Sequence, residues 1–174
     1  VPGVQVHQTK YLLGIGVSPA LAAWALGLVS LAGIPGQIAL GALSDRIGRE
    51  PVWTIGCLGF LLTYALLIAL GAWPSPLLLW AMILAQGVLG YGITSVFGPV
   101  VAEVFEGRHF GTIFGTMMVG AMMGGAAGPL VQGLLHDATG SDTPGFLLGI
   151  AASIVSAIAI WIAAPRKVRR VGKG

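Results

Sequence analysis

The side chains in this sequence that could do chemistry are few, and most are amides and hydroxyls rather than acids, bases or nucleophiles. Gln37, Gln86, Tyr91 and Thr94 are polar positions far along the chain from any charge, with Met118, Ser30 and Thr63 behind them. Such groups hydrogen-bond a small molecule; they do not cleave one. Gln37 leads the set, because an amide deep in an apolar run is costly unless it meets a partner or a polar cavity. Its plainer reading is an interhelical hydrogen bond. His7, His109 and His136 all lie near turns, with no His-x-x-x-His or Glu-x-x-His pair, and Cys57 has no second cysteine to join. No metal set, cofactor motif or Ser-His-Asp arrangement is legible. The expectation is therefore a non-enzyme without cofactor, a membrane enzyme being the rival class.

The elements that must position these groups follow from the charges. Of 174 residues, 56% are apolar and 9% charged, against roughly 25% charged in an ordinary soluble domain. No Asp, Glu, Lys or Arg occurs between Lys10 and Asp45, Glu50 and Glu103, Arg108 and Asp137, or Asp142 and Arg166. Gaps of that length match the about 20 apolar residues that cross a hydrocarbon core of roughly 30 Å. Proline marks the starts: Pro19, Pro51, Pro76 and Pro144 are each tolerated at a first helical position, three of them behind a Ser or Thr in the capping position. The pattern predicts an all-α polytopic bundle of five membrane helices, at roughly 20–43, 52–72, 77–101, 110–135 and 145–164. Residues 1–18 read as an exterior loop and the remnant of a preceding helix, 19–165 as the bundle, and 166–174 as a basic tail.

Arg46, Arg49, Arg108, Arg166, Lys167, Arg169, Arg170 and Lys173 fall on one side of these spans, and Lys10 alone on the other. The positive-inside rule makes the basic side cytoplasmic, with the C-terminus inside. The tail abuts a span, so an anionic membrane surface is a better partner for it than nucleic acid.

The most specific stretch is Gly41-Ala42-Leu43-Ser44-Asp45-Arg46-Ile47-Gly48-Arg49-Glu50. Asp45 stands at a helix C-terminus, where the macrodipole disfavours an anion, so a neighbouring base or helix N-terminus must hold it. That makes a latch able to form in one conformation and break in another; the bland alternative is a topological turn. The stretch resembles the G-x-L-x-D-R-x-G-R-[K/R] signature between the second and third helices of each half of major facilitator superfamily transporters. Gly41, Leu43, Asp45, Arg46, Gly48 and Arg49 match, and Glu50 departs. Glu103 to Gly111, through Arg108, is similar to the acidic and R-x-x-G run that enters the eleventh helix of the same superfamily. Behind it Gly107, Gly111, Gly115, Gly120, Gly124 and Gly128 recur on one helix face, a spacing that lets a second backbone approach. Pro35, Pro99 and Pro129 each remove a backbone hydrogen bond within a span, as expected beside a cavity or a moving contact.

The resemblance implies the C-terminal half of a transporter, helices eight to twelve, with the seventh helix and the N-terminal six-helix half elsewhere. It implies a small-molecule substrate moved by alternating access, in a bacterial inner membrane. Gly41, Asp45, Arg46, Gly48, Arg49, Glu103 and Arg108 would form the latch, and Pro35, Gly120, Gly124, Gly128 and Pro129 the packing and gating contacts. Ser18 to Glu50 and Gly128 to Phe146 look most like the monocarboxylate and oxalate/formate branch. That branch often carries an arginine near Gln37, so an organic anion is a candidate substrate that the glutamine puts in question. A packing or regulatory subunit without transport of its own is the other functional reading.

Overall fold

A computed structural model describes residues 2–105 and 107–163, with side chains from Gln8 onward; the basic tail 166–174 and Glu106 lie outside the described residues. The elements are α1 (Pro2–Gly14), α2 (Pro19–Ile47), α3 (Arg49–Ala72), α4 (Pro76–Leu84), a π-helical turn (Ala85–Gly90), α5 (Gly92–Val104), α6 (Phe110–Thr139) and α7 (Thr143–Ala163). Because α4, the π turn and α5 make one continuous span, Pro76–Val104, five helices are long and apolar enough to cross a membrane. The described residues contain no strand.

Helix starts follow local chemistry, with two corrections. Ser18 caps α2, accepting from the Leu21 N–H at 3.3 Å, with Pro19 just inside. Ser75 and Pro76 stand in the same order at α4. However, α3 begins at Arg49 and α7 at Thr143, so Pro51 and Pro144 are interior to the first turn and Glu50 and Thr143 are not caps. The first turn's N–H groups have no intrahelical partner in any case, so proline is tolerated at several of its positions.

Residues 1–18 are a second difference. Most of this stretch is helical, leaving only residues 15–18 as connection. Leu12 is fully buried, and Tyr11 donates to the Leu67 carbonyl at 2.9 Å, which fastens α1 to α3. The prolines are a third: α2, α5 and α6 remain helical through Pro35, Pro99 and Pro129. The irregularity sits instead at Ala85–Gly90, where glycine weakens the α-helical preference and the turn widens.

The core gathers Leu12, Val29, Phe60, Leu67, Met82 and Phe146 from α1, α2, α3, α4 and α7. Helix α3 packs along the Pro76–Val104 span and on α7, the second contact reinforced where Trp53 Nε1 donates to Ser156 Oγ at 3.1 Å and Trp161 Nε1 to Thr54 Oγ1 at 3.0 Å. By contrast, α6 leaves nearly all of its length exposed, with only Gln132 buried. Gly111, Gly115, Gly120 and Gly124 of that helix have no neighbour within 4 Å of a would-be Cβ among the described residues.

Candidate functional site

At one end of the bundle the α2–α3 turn meets the end of α5. Gly48 makes this turn with φ 105° and ψ 165°, a region that is essentially restricted to glycine. That sharp reversal brings the start of α3 back over the last turn of α2. Arg49 consequently pairs with Asp45 Oδ1 through Nη1 at 2.7 Å, donates from Nε to Glu103 Oε1 at 3.0 Å, and donates from Nη1 to Ser44 Oγ. The Ser44 hydroxyl in turn donates to the Gly41 carbonyl at 2.6 Å, and Gly41 itself packs on Ser95 of α5. Asp45 and Glu103 both sit near helix C-termini, where the helix dipole repels them, and a single guanidinium compensates both.

Exposure ranks the members of this cluster. Arg49 is 17% exposed, Glu103 33% and Asp45 66%. Screening leaves the solvated Asp45 pair worth about 1 kcal/mol or less. Arg49 is therefore the hub and Asp45 its outer contact. Arg46 and Arg108 are exposed and make no ion pair with a described residue, so they do not join the cluster. Glu50, which departs from the signature, lies 3% exposed in the first turn of α3, with no hydrogen-bond partner for its Oε2 among the described residues. The helix N-terminus favours a carboxylate there.

The midspan polar residues are only partly brought together. Tyr91 lies buried against α2, its ring 2.5 Å from a would-be Cβ on Gly33. Gln37, half-buried, stands one residue from Gly36, whose own would-be Cβ meets Val88 in the π turn. Thr94 is exposed and donates to the Tyr91 carbonyl at 2.6 Å. Gln86, inside the π turn, is wholly buried, with neither amide atom paired among the described residues. Gln37 and Thr94 are accessible in this conformation, whereas Gln86 is not. An unpaired buried amide costs about 1–3 kcal/mol, so the π turn holds Gln86 in a state that another arrangement could relieve. Met118 is half-buried on α6, Ser30 exposed with its hydroxyl donating to Leu26, and Thr63 fully buried with its hydroxyl donating to Gly59.

One buried amide was missed by the sequence reading. Gln8 of α1 is 1% exposed, donates to Met82 Sδ at 3.3 Å, and leaves its Oε1 unpaired. Reading residues 1–18 as an exterior loop and the remnant of a preceding helix did not single it out, although Gln8, Tyr11, Leu12 and Ile15 recur at helical spacing.

At the opposite end, His136 Nδ1 lies 3.1 Å from Asp142 Oδ1, and Gln132 is buried beneath Gly145. Lys10, Tyr11, His136 and Asp142 line a cavity of about 670 Å³ there. Arg49 and Glu103 mark one end of the bundle and Lys10 and Asp142 the other. Among the described residues no three His, Cys, Asp or Glu side chains gather to hold a metal ion.

Residues 8–174 match the family model described as Major Facilitator Superfamily. The chain is 35% identical over 96 residues to the class C tetracycline resistance protein of Escherichia coli, covering 55% of this chain and 23% of that one. It is 27% identical over 143 residues to monocarboxylate transporter 13 of Bos taurus, covering 82% of this chain and 33% of the relative. Similarity to the efflux pump radE of Floropilus chiversii is 23% over 139 residues, 80% of this chain and 25% of the pump. The chain thus spans between 23% and 33% of the length of these curated relatives. No solved structure matches.

Proposed function

We propose, from the premise that the chain belongs to the major facilitator superfamily, that it is the C-terminal half of a secondary transporter moving a small organic solute by alternating access. In this reading α1 is the end of the seventh helix and α2 to α7 supply helices eight to twelve. An N-terminal six-helix half completes a midplane site, as is usual where two repeats enclose the substrate. The observation that carries the reading is the Arg49 cluster, which ties the α2–α3 turn to the end of α5 at one bundle end. A contact of that kind, made of a few charge-assisted bonds, biases one conformation without locking it. The exposed face of α6, with Gly120, Gly124, Gly128 and Pro129, is where the second half would pack; Pro35 on α2 would flank the midspan site.

The basic end is the cytoplasmic one in this proposal, within a bacterial inner membrane. A cysteine at Ser141 is then expected to react with an impermeant thiol reagent on intact cells, and one at Gly172 only after permeabilisation. The warrant is the placement of eight basic residues on one side against Lys10 on the other. External labelling at Gly172 overturns the orientation.

The solute is an uncharged or weakly charged organic molecule held first by Gln37, with Tyr91 and Thr94 beside it and Gln86 recruited when the π turn rearranges. The relatives, named for tetracycline resistance, monocarboxylate transport and efflux, define the panel to try. Uptake and export by the intact protein in proteoliposomes should be competed by one member of that panel. Gln37→Ala should raise its apparent KM several-fold, and Gln37→Arg should move the ranking toward carboxylates. No transport of any panel member would favour the packing-subunit reading; unchanged KM and ranking in both variants would remove Gln37 from the site.

A further inference from the structure

Two buried glutamines from different helices are linked through one methionine. Gln8 of α1 is 1% exposed and Gln86 of the π turn 0%. Gln8 Nε2 donates to Met82 Sδ at 3.3 Å. Met82 precedes Gln86 by four residues, which puts the two on one helix face with about 5–6 Å between Cβ atoms. Leu12, Val29 and Ile83 belong with Met82 to the apolar core. Among the described residues, Gln8 Oε1, Gln86 Oε1 and Gln86 Nε2 have no hydrogen-bond partner. Chemistry fixes which end of Gln8 meets the sulfur, because a thioether accepts and does not donate. Orphaned amides in an apolar core are destabilising, so these atoms call for a group that satisfies them.

The count of donors and acceptors says what that group is. The two side chains offer the bare carbonyl oxygens of Gln8 and Gln86 and the bare NH2 of Gln86. A primary carboxamide is the complement: its carbonyl accepts from Gln86 Nε2, one N–H donates to Gln86 Oε1 and the other to Gln8 Oε1. A carboxylate would set its oxygens against two others, and an ester has no N–H to give. Gln86 lies inside the charge-free run between Glu50 and Glu103, and the exposed Lys10, two residues from Gln8, stands on another face of α1, so the surroundings suit a neutral group. Met82 covers Gln8 as a removable plug. It is fully buried, but its thioether is a weak acceptor on an unbranched, freely rotating chain, and turning it aside clears room on the scale of a carboxamide.

We propose that Gln8 and Gln86 together bind a primary carboxamide group of the transported solute, with Met82 as the plug that turns aside when it enters. The inference deepens the transporter reading and rests on it for the solute being cargo. The π turn that carries Gln86 is a backbone irregularity of the kind found at functional sites. Stability is given up in the empty state, since leucines of similar size in place of the two amides would leave no buried polar atom unpaired there.

The test is calorimetric binding and thermal melting of the intact parent protein in lipid nanodiscs, with benzamide, methyl benzoate and benzoate as probes. Benzamide should bind saturably, and methyl benzoate and benzoate should each bind about tenfold more weakly or worse, the effect of losing two hydrogen bonds. Gln86→Leu should weaken benzamide by about tenfold and Gln8→Leu by roughly fivefold, yet both should melt above wild type in the absence of probe. Met82→Ala should bind benzamide more tightly than wild type while melting below it, because of the cavity it leaves. Gln132→Leu removes a buried amide at the far end of the bundle, whose Nε2 is likewise unpaired. It should change benzamide binding less than about twofold. Gln8→Met replaces Gln8→Leu if that variant does not fold. The proposal falls if wild type does not prefer benzamide to methyl benzoate, or if the leucine variants bind it as well as wild type does. It falls equally if those variants melt below wild type, which would make the amides a fastening between α1 and α4. Benzamide binding with this ranking but no flux of any solute would keep the site and end the transporter reading; flux competed equally by benzamide and methyl benzoate would do the reverse.

Discussion

If the intact protein transports as proposed, replacing Arg49 by Gln is expected to lower its initial transport rate by roughly 5- to 150-fold, the span of a 1–3 kcal/mol coupling, while leaving its membrane level nearly unchanged. Arg49 touches all three of Asp45, Ser44 and Glu103. Its removal takes the guanidinium from two carboxylates at helix C-termini and the donor from the buried Ser44 hydroxyl. Asp45→Asn should do less, because Asp45 is 66% exposed and water already screens it. Glu103→Gln should lie between them. The measurement is substrate flux in proteoliposomes normalised to inserted protein. If Arg49→Gln transports at the wild-type rate, the α2–α3 turn is only a topological device; if flux and protein level fall together, the cluster serves folding rather than conformational bias.

How much of this was legible depends on what each feature needs for its definition. The five spans were visible because long charge-free runs have few alternatives in water. The α2–α3 turn was visible too, since Gly48, Asp45 and Arg49 stand close in sequence and their geometry is set by one glycine dihedral. The Glu103 partner was legible only as a neighbour in motif, because a bond between residues 54 apart depends on how α5 packs. The α1 helix was not legible: 13 residues with a lysine and several polar groups do not reach span length, and its order comes from tertiary contacts such as Tyr11 with Leu67. The glycines mislead most. The regular series on α6 drew the packing argument, while close approaches occur at Gly36 on α2 and Gly59 on α3, which meet the π turn, and at Gly87 within that turn, which meets α2. Proline misleads in the same way, since Pro35 and Pro129 sit in continuous helix.

Those glycine contacts carry the second large effect. A Cβ on Gly36 would stand 2.5 Å from the Val88 carbonyl oxygen, 2.7 Å from its Cα and 2.9 Å from its carbonyl carbon, all backbone. On Gly59 it would stand 2.5 Å from the Gly90 N, with Leu89 at 2.6 Å. The π turn Ala85–Gly90 is thus gripped from α2 on one side and α3 on the other, and neither side has a flexible side-chain end to give way. Gly36→Val and Gly59→Val should each force the helices apart, at a cost of about 1–3 kcal/mol or more for overpacking of this kind. Because the two contacts share one turn, the double variant should be worse than the sum of the singles. Gly120→Ala and Gly124→Ala are the contrast, since an added methyl there meets none of the described residues. Thermal melting of the detergent-purified intact protein, read with its size-exclusion profile, should show Gly36→Val and Gly59→Val lost to aggregation or melting well below wild type. The α6 variants should melt like wild type and yet transport more slowly, if their face serves a second half that slides against it. Wild-type melting of Gly36→Val would mean that α2 does not lie on the π turn. A folding defect in Gly120→Ala equal to that of Gly36→Val would mean that the α6 face is a fixed packing surface rather than a moving one.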